Sequence, residues 1–86
     1  MGNIELLDFY ADWCGPCQQM KPIINELEKE LDGKVKFITI NIDEDQDTAQ
    51  QYNVMSLPTF IIKKGGQVVD QLNGPQSKEV LTSKLS

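Results

Sequence analysis

Apolar and polar residues along this chain change period several times, and each change marks a new element. Ile4, Leu6, Leu7, Phe9 and Tyr10 gather β-forming side chains into one short run, which predicts a strand over about 4–10. Met20, Ile24, Leu27 and Leu31 then recur at steps of four, three and four, the spacing of one face of a helix over about 15–31. Asp32-Gly33 marks the helix exit. Pro22 lies inside the helix, where its ring removes one hydrogen bond and crowds the carbonyl of Gln18, so a kink is expected there. Val35 to Ile42 alternates apolar and polar residues for most of its length and reads as a second strand. Strand, crossover helix and strand form a right-handed unit whose two strands run parallel.

Residues 45–52 carry a short helix. Thr59-Phe60-Ile61-Ile62 and Gln67-Val68-Val69-Asp70-Gln71-Leu72 flank Lys63-Lys64-Gly65-Gly66, a connection of hairpin length. A last helix over about 76–85 is expected to place Val80, Leu81 and Leu85 on one side. The sum is an α/β chain in the order βαβαββα, read as a single domain over 1–86, with no internal repeat, linker or low-complexity segment.

Composition narrows the function classes. A chain of 86 residues buries about 60–65% of its unfolded surface, enough for one compact core. Eight Lys plus Arg against 13 Asp plus Glu give a net charge of −5, and no basic stripe accumulates, which argues against a nucleic-acid partner. The N-terminus has no charged segment leading into an apolar one, and no apolar run approaches the roughly 18 residues that span a bilayer. The chain therefore reads as cytoplasmic, without a membrane partner, and as a monomer. Met1-Gly2 suggests lipidation only until the sixth position is checked, because the motif needs Ser or Thr and Leu6 stands there. No Gly-x-Gly-x-x-Gly fingerprint is present for a flavin or nicotinamide, and no cofactor is expected.

Both cysteines fall in Trp13-Cys14-Gly15-Pro16-Cys17, at the turn between the first strand and the first helix. Unpaired backbone N–H groups at a helix start favour a thiolate, so this placement suits reversible thiol chemistry. Gly15 leaves the turn uncrowded, and Pro16 tolerates the first turn because its missing N–H is not needed there. As a structural staple, a bridge closing so short a loop would stabilise the fold little. A zinc site needs further ligands, and the chain has no histidine and no third cysteine. Two ordinary buried cysteines are the remaining alternative, which an intervening Gly-Pro suits less well.

Other residues invite competing readings. Asp43-Glu44-Asp45-Gln46-Asp47 resembles the start of a calcium loop, but counting from Asp43 the required glycine is Thr48 and the required glutamate is Val54. A solvated acidic turn capping the next helix fits better. Asp8 shares the period-two face of Ile4, Leu6 and Tyr10, so its carboxyl is either partly buried, with a raised pKa suited to proton transfer, or a strand-end group reaching solvent. Trp13 is either a core aromatic or a wall of a substrate site. Leu57-Pro58-Thr59 puts a proline at a strand entry, where its missing donor is tolerated.

Four pieces in this order resemble thioredoxins over nearly the whole chain: Asp8-Phe9-Tyr10-Ala11-Asp12-Trp13-Cys14-Gly15-Pro16-Cys17, Pro22, Asn41-Ile42-Asp43, and Leu57-Pro58-Thr59 with Gly65-Gly66 and Gly74. The resemblance implies the thioredoxin fold, a four-stranded mixed sheet in order 2-1-3-4 flanked by helices. It implies a thiol-disulfide oxidoreductase that reduces protein disulfides, with Cys14 as nucleophile, Cys17 as resolving thiol and Asp8 as buried proton acceptor. Pro58 would be a cis-proline facing the cysteines, and Trp13, Gly15, Pro16, Leu57, Pro58 and Gly74 would line the substrate groove. Partners implied are disulfide-containing client proteins and a separate thioredoxin reductase. Nucleophiles of this class run near pKa 7 against about 8.5 for an ordinary thiol, a difference of about 2 kcal/mol in thiolate stabilisation. A helix N-terminus typically supplies about 0.3–1 kcal/mol, so local N–H and thiol hydrogen bonds are expected to add the rest.

Three departures from the family pattern stand out. The chain starts almost directly on the strand before the cysteines, where family members commonly have an additional strand and helix. The lysine that often accompanies the buried aspartate is replaced by Thr39, and the lysine often found after the second cysteine by Gln18. Two other functions share parts of this pattern: an extracytoplasmic disulfide oxidase or isomerase of the same fold, and a redox-inactive binding module using the same groove.

Overall fold

The computed structural model describes residues 3–86, so the reading of Met1-Gly2 lies outside the described residues. The elements follow as β1 (Ile4–Tyr10), α1 (Gly15–Glu30), β2 (Val35–Asn41), α2 (Gln46–Gln51), β3 (Thr59–Lys64), β4 (Gln67–Asn73) and α3 (Lys78–Lys84). The sheet order is β2-β1-β3-β4. β1 pairs parallel with β2 and antiparallel with β3, as the crossover helix and the returning hairpin require. Asp8 sits between Thr39 of β2 and Phe60 of β3 in this register.

Alternation along the central strands divides the core into two layers. Leu6, Phe60 and Ile62 pack with Met20, Ile24 and Leu27 of α1, with Leu81 of α3 and with Leu85 at its C-cap. Leu7, Phe9 and Ile61 point to the other face, where Ile40 of β2 and Ala49 of α2 pack with them. The period of two that alternates the side chains of β1 thus puts Asp8 on the α1 side. α1 continues through Pro22, which lies on its exposed side away from the packed stripe of Cys17, Met20, Ile24 and Leu27.

β3 and β4 join through Gly65-Gly66 alone, both at positive φ (60° and 81°), the backbone that a two-residue hairpin turn demands. The strands therefore extend through Lys63 and Lys64, further than the alternation predicts, and a bulge between Ile62 and Lys63 absorbs Val69. One expectation fails in α3. Leu81 and Leu85 are buried, but Val80 is 39% exposed. Leu81 and Leu85 are one helical turn apart and share a face, whereas Val80 precedes Leu81 by one residue and points about 100° away from it. Ion pairs from Lys78 to Glu26 and Glu30 tie α3 to α1 at the surface.

Candidate active site

The site forms where β1 ends and α1 begins. Ala11 takes the backbone N–H of Cys14 at 3.1 Å, turning the chain into the helix. Cys14 occupies the N-cap position with extended backbone, and its sulfur accepts the backbone N–H of Cys17 at 3.2 Å. Sulfur thus takes the place that a serine or aspartate oxygen usually holds at a helix start. Gly15 and Pro16 fill the first turn, and no acidic residue there opposes negative charge on Cys14. Cys14 and Cys17 are joined as a disulfide, with Cα atoms 5.3 Å apart. Both are buried, packed with Ala11 and flanked by Tyr10, Ile42 and Leu57.

The bonded cysteines open onto different spaces. Cys14 lines an outward groove of about 470 Å³ together with Trp13, Gly15, Pro16, Ile42, Val54, Met55, Ser56 and Leu57. A Cβ added to Gly15 would meet nothing of the protein within 4 Å, so that side of the turn is open. Cys17 instead lines a cavity of about 230 Å³ that it shares with Asp8. Asp8 is half-buried, and desolvation pushes its carboxyl up to about 6, because an ionised carboxylate loses hydration there.

Of the remaining residues singled out by the sequence, Trp13, Gly15, Pro16 and Leu57 line the groove. Trp13 is 69% exposed, which removes the core-aromatic reading. Its indole N–H donates to Asp43 Oδ2 at 2.9 Å, standing the ring at the groove edge. The Leu57-Pro58 peptide bond is cis. Leu57 lines the groove, and the next residue, Pro58, is buried and its carbonyl accepts the N–H of Gly74 at 2.7 Å. Gly74, at φ 86°, is thereby tied to that loop. In the acidic turn, Asp45 caps α2 by accepting from Thr48 N–H at 3.1 Å, as a solvated cap should. Among the described residues, no three His, Cys, Asp or Glu side chains converge to hold a metal.

Sequence reasoning did not assign Ile42, Val54, Met55 or Ser56 to the groove, nor Asp43 to the indole of Trp13. Asn41-Ile42-Asp43 and Leu57-Pro58 were visible as motifs, and the missed residues lie within or just before them. Lys21, Asn25 and Glu28, which line the Asp8 cavity, carried no motif at all.

The thioredoxin family model matches residues 2–86. The chain belongs to the thioredoxin family. Similar relatives include a thioredoxin of Synechocystis sp., 46% identical over 80 residues, covering 93% of this chain and 75% of the relative. A thioredoxin of Bacillus subtilis is 45% identical over 79 residues, covering 92% and 76% of the two chains. Among solved structures, a mutant thioredoxin from Halobacterium salinarum superposes with a TM-score of 0.89 at 34% identity, covering 96% of this chain and 72% of that one. Fasciola hepatica thioredoxin gives a TM-score of 0.89 at 32% identity, with 96% and 78% covered.

The thioredoxin fold inferred from the sequence is thus the fold of this chain. With the paired cysteines at its helix start, this thioredoxin-family protein is a thiol-disulfide oxidoreductase acting as a protein-disulfide reductase. Among its described residues, no helix is long and apolar enough to cross a membrane.

Proposed function

We propose that this chain, working as one domain over 1–86, reduces disulfides of client proteins with Cys14 as nucleophile, Cys17 as resolving thiol and Asp8 as proton acceptor. The observation that carries the assignment is the division of the two cysteines. Cys14 faces the outward groove, and Cys17 faces the cavity it shares with Asp8.

In the reduced protein, the Cys14 thiolate attacks one sulfur of a client disulfide, forming a mixed disulfide and releasing the other client sulfur as a thiolate. Asp8 then takes the proton of the Cys17 thiol. The Cys17 thiolate attacks Cys14 Sγ, forming the Cys14–Cys17 bond and breaking the Cys14–client bond. The electron pair leaves on the second client sulfur. The two client thiolates take up protons, so two electrons have passed from the dithiol to the client. A thioredoxin reductase restores the dithiol, and this electron carrier serves redox homeostasis in the cytoplasm as a monomer. Its net charge of −5 and the absence of a basic stripe in the sequence support a protein partner over a nucleic acid.

The N–H of Cys17 directed at Cys14 Sγ supports charge on that sulfur, and the exposed Trp13 with Gly15, Pro16 and Leu57 supports docking of an extended client segment. Pro58, next to the groove residue Leu57, and Gly74, bonded to its carbonyl, complete the substrate site in this reading.

The two cysteine variants separate these roles. Cys14→Ser is expected to abolish reduction of a protein disulfide. Cys17→Ser keeps the first attack and accumulates a mixed disulfide visible by mass spectrometry. Full activity of Cys14→Ser would overturn the assignment.

A further inference from the structure

The cavity behind the disulfide is built from three elements. β1 contributes Asp8 and Tyr10, β2 contributes Thr39, and α1 contributes Cys17, Lys21, Ile24, Asn25 and Glu28. Phe60, the β3 neighbour of Asp8, is uncharged and wholly buried. The charged groups of this wall are therefore Asp8, Glu28 and Lys21, with Tyr10 and Cys17 as its other titratable groups. Lys21 is the one cation among the described residues of the wall.

We propose that Lys21 is a positioning residue for the resolving step, holding the Asp8 carboxylate ionised so that it can take the proton of the Cys17 thiol. The inference rests on the reading of Asp8 as proton acceptor.

Lys21, Asn25 and Glu28 stand at i, i+4 and i+7, so one line of α1 presents all three to the cavity. Thr39, directly beside Asp8 on β2, brings no charge, which leaves the helix as the source of any cation in this wall. Lys21 is otherwise exposed, and its flexible four-carbon arm reaches either solvent or the cavity mouth. With the cysteines bonded, Cys17 has no proton to give, and desolvation is the cause of the raised Asp8 pKa. In the dithiol form, ionisation of Asp8 supplies the charge that draws the ammonium in. Glu28 acts in the opposite sense, since a second carboxylate in the same wall disfavours the Asp8 anion. One helix thus delivers a lowering and a raising influence on the same carboxyl, two turns apart.

The test uses the reduced full chain. Carboxyl carbon NMR follows the Asp8 midpoint, and single-turnover release of client thiol is followed from pH 5 to 8. Lys21→Met is expected to raise the Asp8 midpoint by about half a pH unit or more and to move the rising limb of the release rate with it. Glu28→Gln should move both the other way. Lys21→Arg should keep both in place, and adding Thr39→Lys to Lys21→Met should restore them by supplying a cation from the opposite wall.

An unmoved midpoint in Lys21→Met overturns the inference, as does a moved midpoint with an unmoved rate profile. Asp8→Asn separates the two levels. If it flattens the profile while Lys21→Met leaves it in place, the role of Lys21 fails and that of Asp8 stands. If Asp8→Asn leaves the profile unchanged, the reading of Asp8 fails and takes this inference with it.

Discussion

Trp13 keeps most of its surface in solvent, although a side chain of this size usually contributes by burial. Its position is held by a single hydrogen bond to Asp43, across 30 residues of sequence. An exposed bond of this kind is worth about 1 kcal/mol, enough to restrict the ring without immobilising it. Asp43→Ala should therefore free the indole and slow client reduction about two- to five-fold, through docking more than through maximal rate. Because the chain has one tryptophan, fluorescence anisotropy reports the ring directly, and it should fall in the variant. Cys14, Cys17, Asp8 and Trp13 were legible in the sequence because they lie within ten residues of one another, on the first strand and the turn that follows it. The part played by Asp43 was not. Three aspartates of the same turn look alike in sequence, and only their placement assigns Asp43 to the indole and Asp45 to the helix cap.

Elements built on few residues depend most on their ends. α2 has six residues, too short to persist without caps and packing. Asp45 accepts from Thr48 N–H and from the Thr48 hydroxyl at 2.7 Å, and Ala49 anchors the helix on the sheet. The segment leaving α2 supplies Val54, Met55, Ser56 and Leu57 to the groove, so the cap supports the site from a distance. Asp45→Ala is expected to cost about 1 kcal/mol of stability, measured as a lower urea midpoint with an unchanged slope. Met55, 92% exposed, marks the outer end of this segment. Every element was readable in the sequence, several of them from periodicity, but their ends and faces less so. The hairpin shortens to two glycines because the strand ladder continues wherever hydrogen-bonding partners permit, a condition set by the opposite strand. Val80 was misplaced because an apolar residue next to a buried one does not share its face in a helix.

At the scale of the molecule, partial burial of Asp8 links redox chemistry to stability. Its carboxyl titrates near 3.8 when unfolded and is pushed up to about 6 in the fold. Between these values the folded state binds more protons than the unfolded one, so stability falls as pH rises through the window. Above pH 6 the group costs the fold about 2–3 kcal/mol. Asp8→Asn should therefore be more stable than the parent by roughly that amount at pH 7.5, with the difference closing below pH 4. Denaturant melts of both proteins across this range measure it, and equal stability at pH 7.5 would contradict the burial argument. The same carboxyl is thus a cost to folding, which its proposed role as proton acceptor in the resolving step would explain. By itself the sequence determined the order of elements, the helix-start position of the cysteines and the face of β1 that carries Asp8. Each of these follows from residues a few positions apart, whose mutual geometry a helix or strand prescribes. Only the tertiary structure decided that Cys14 and Cys17 open onto different spaces, that Asp43 holds Trp13, and that Lys21 and Glu28 share the wall of Asp8. Those relations join residues distant in the chain, and the packing of β1, α1 and β2, with the segments that follow β2 and α2, sets them.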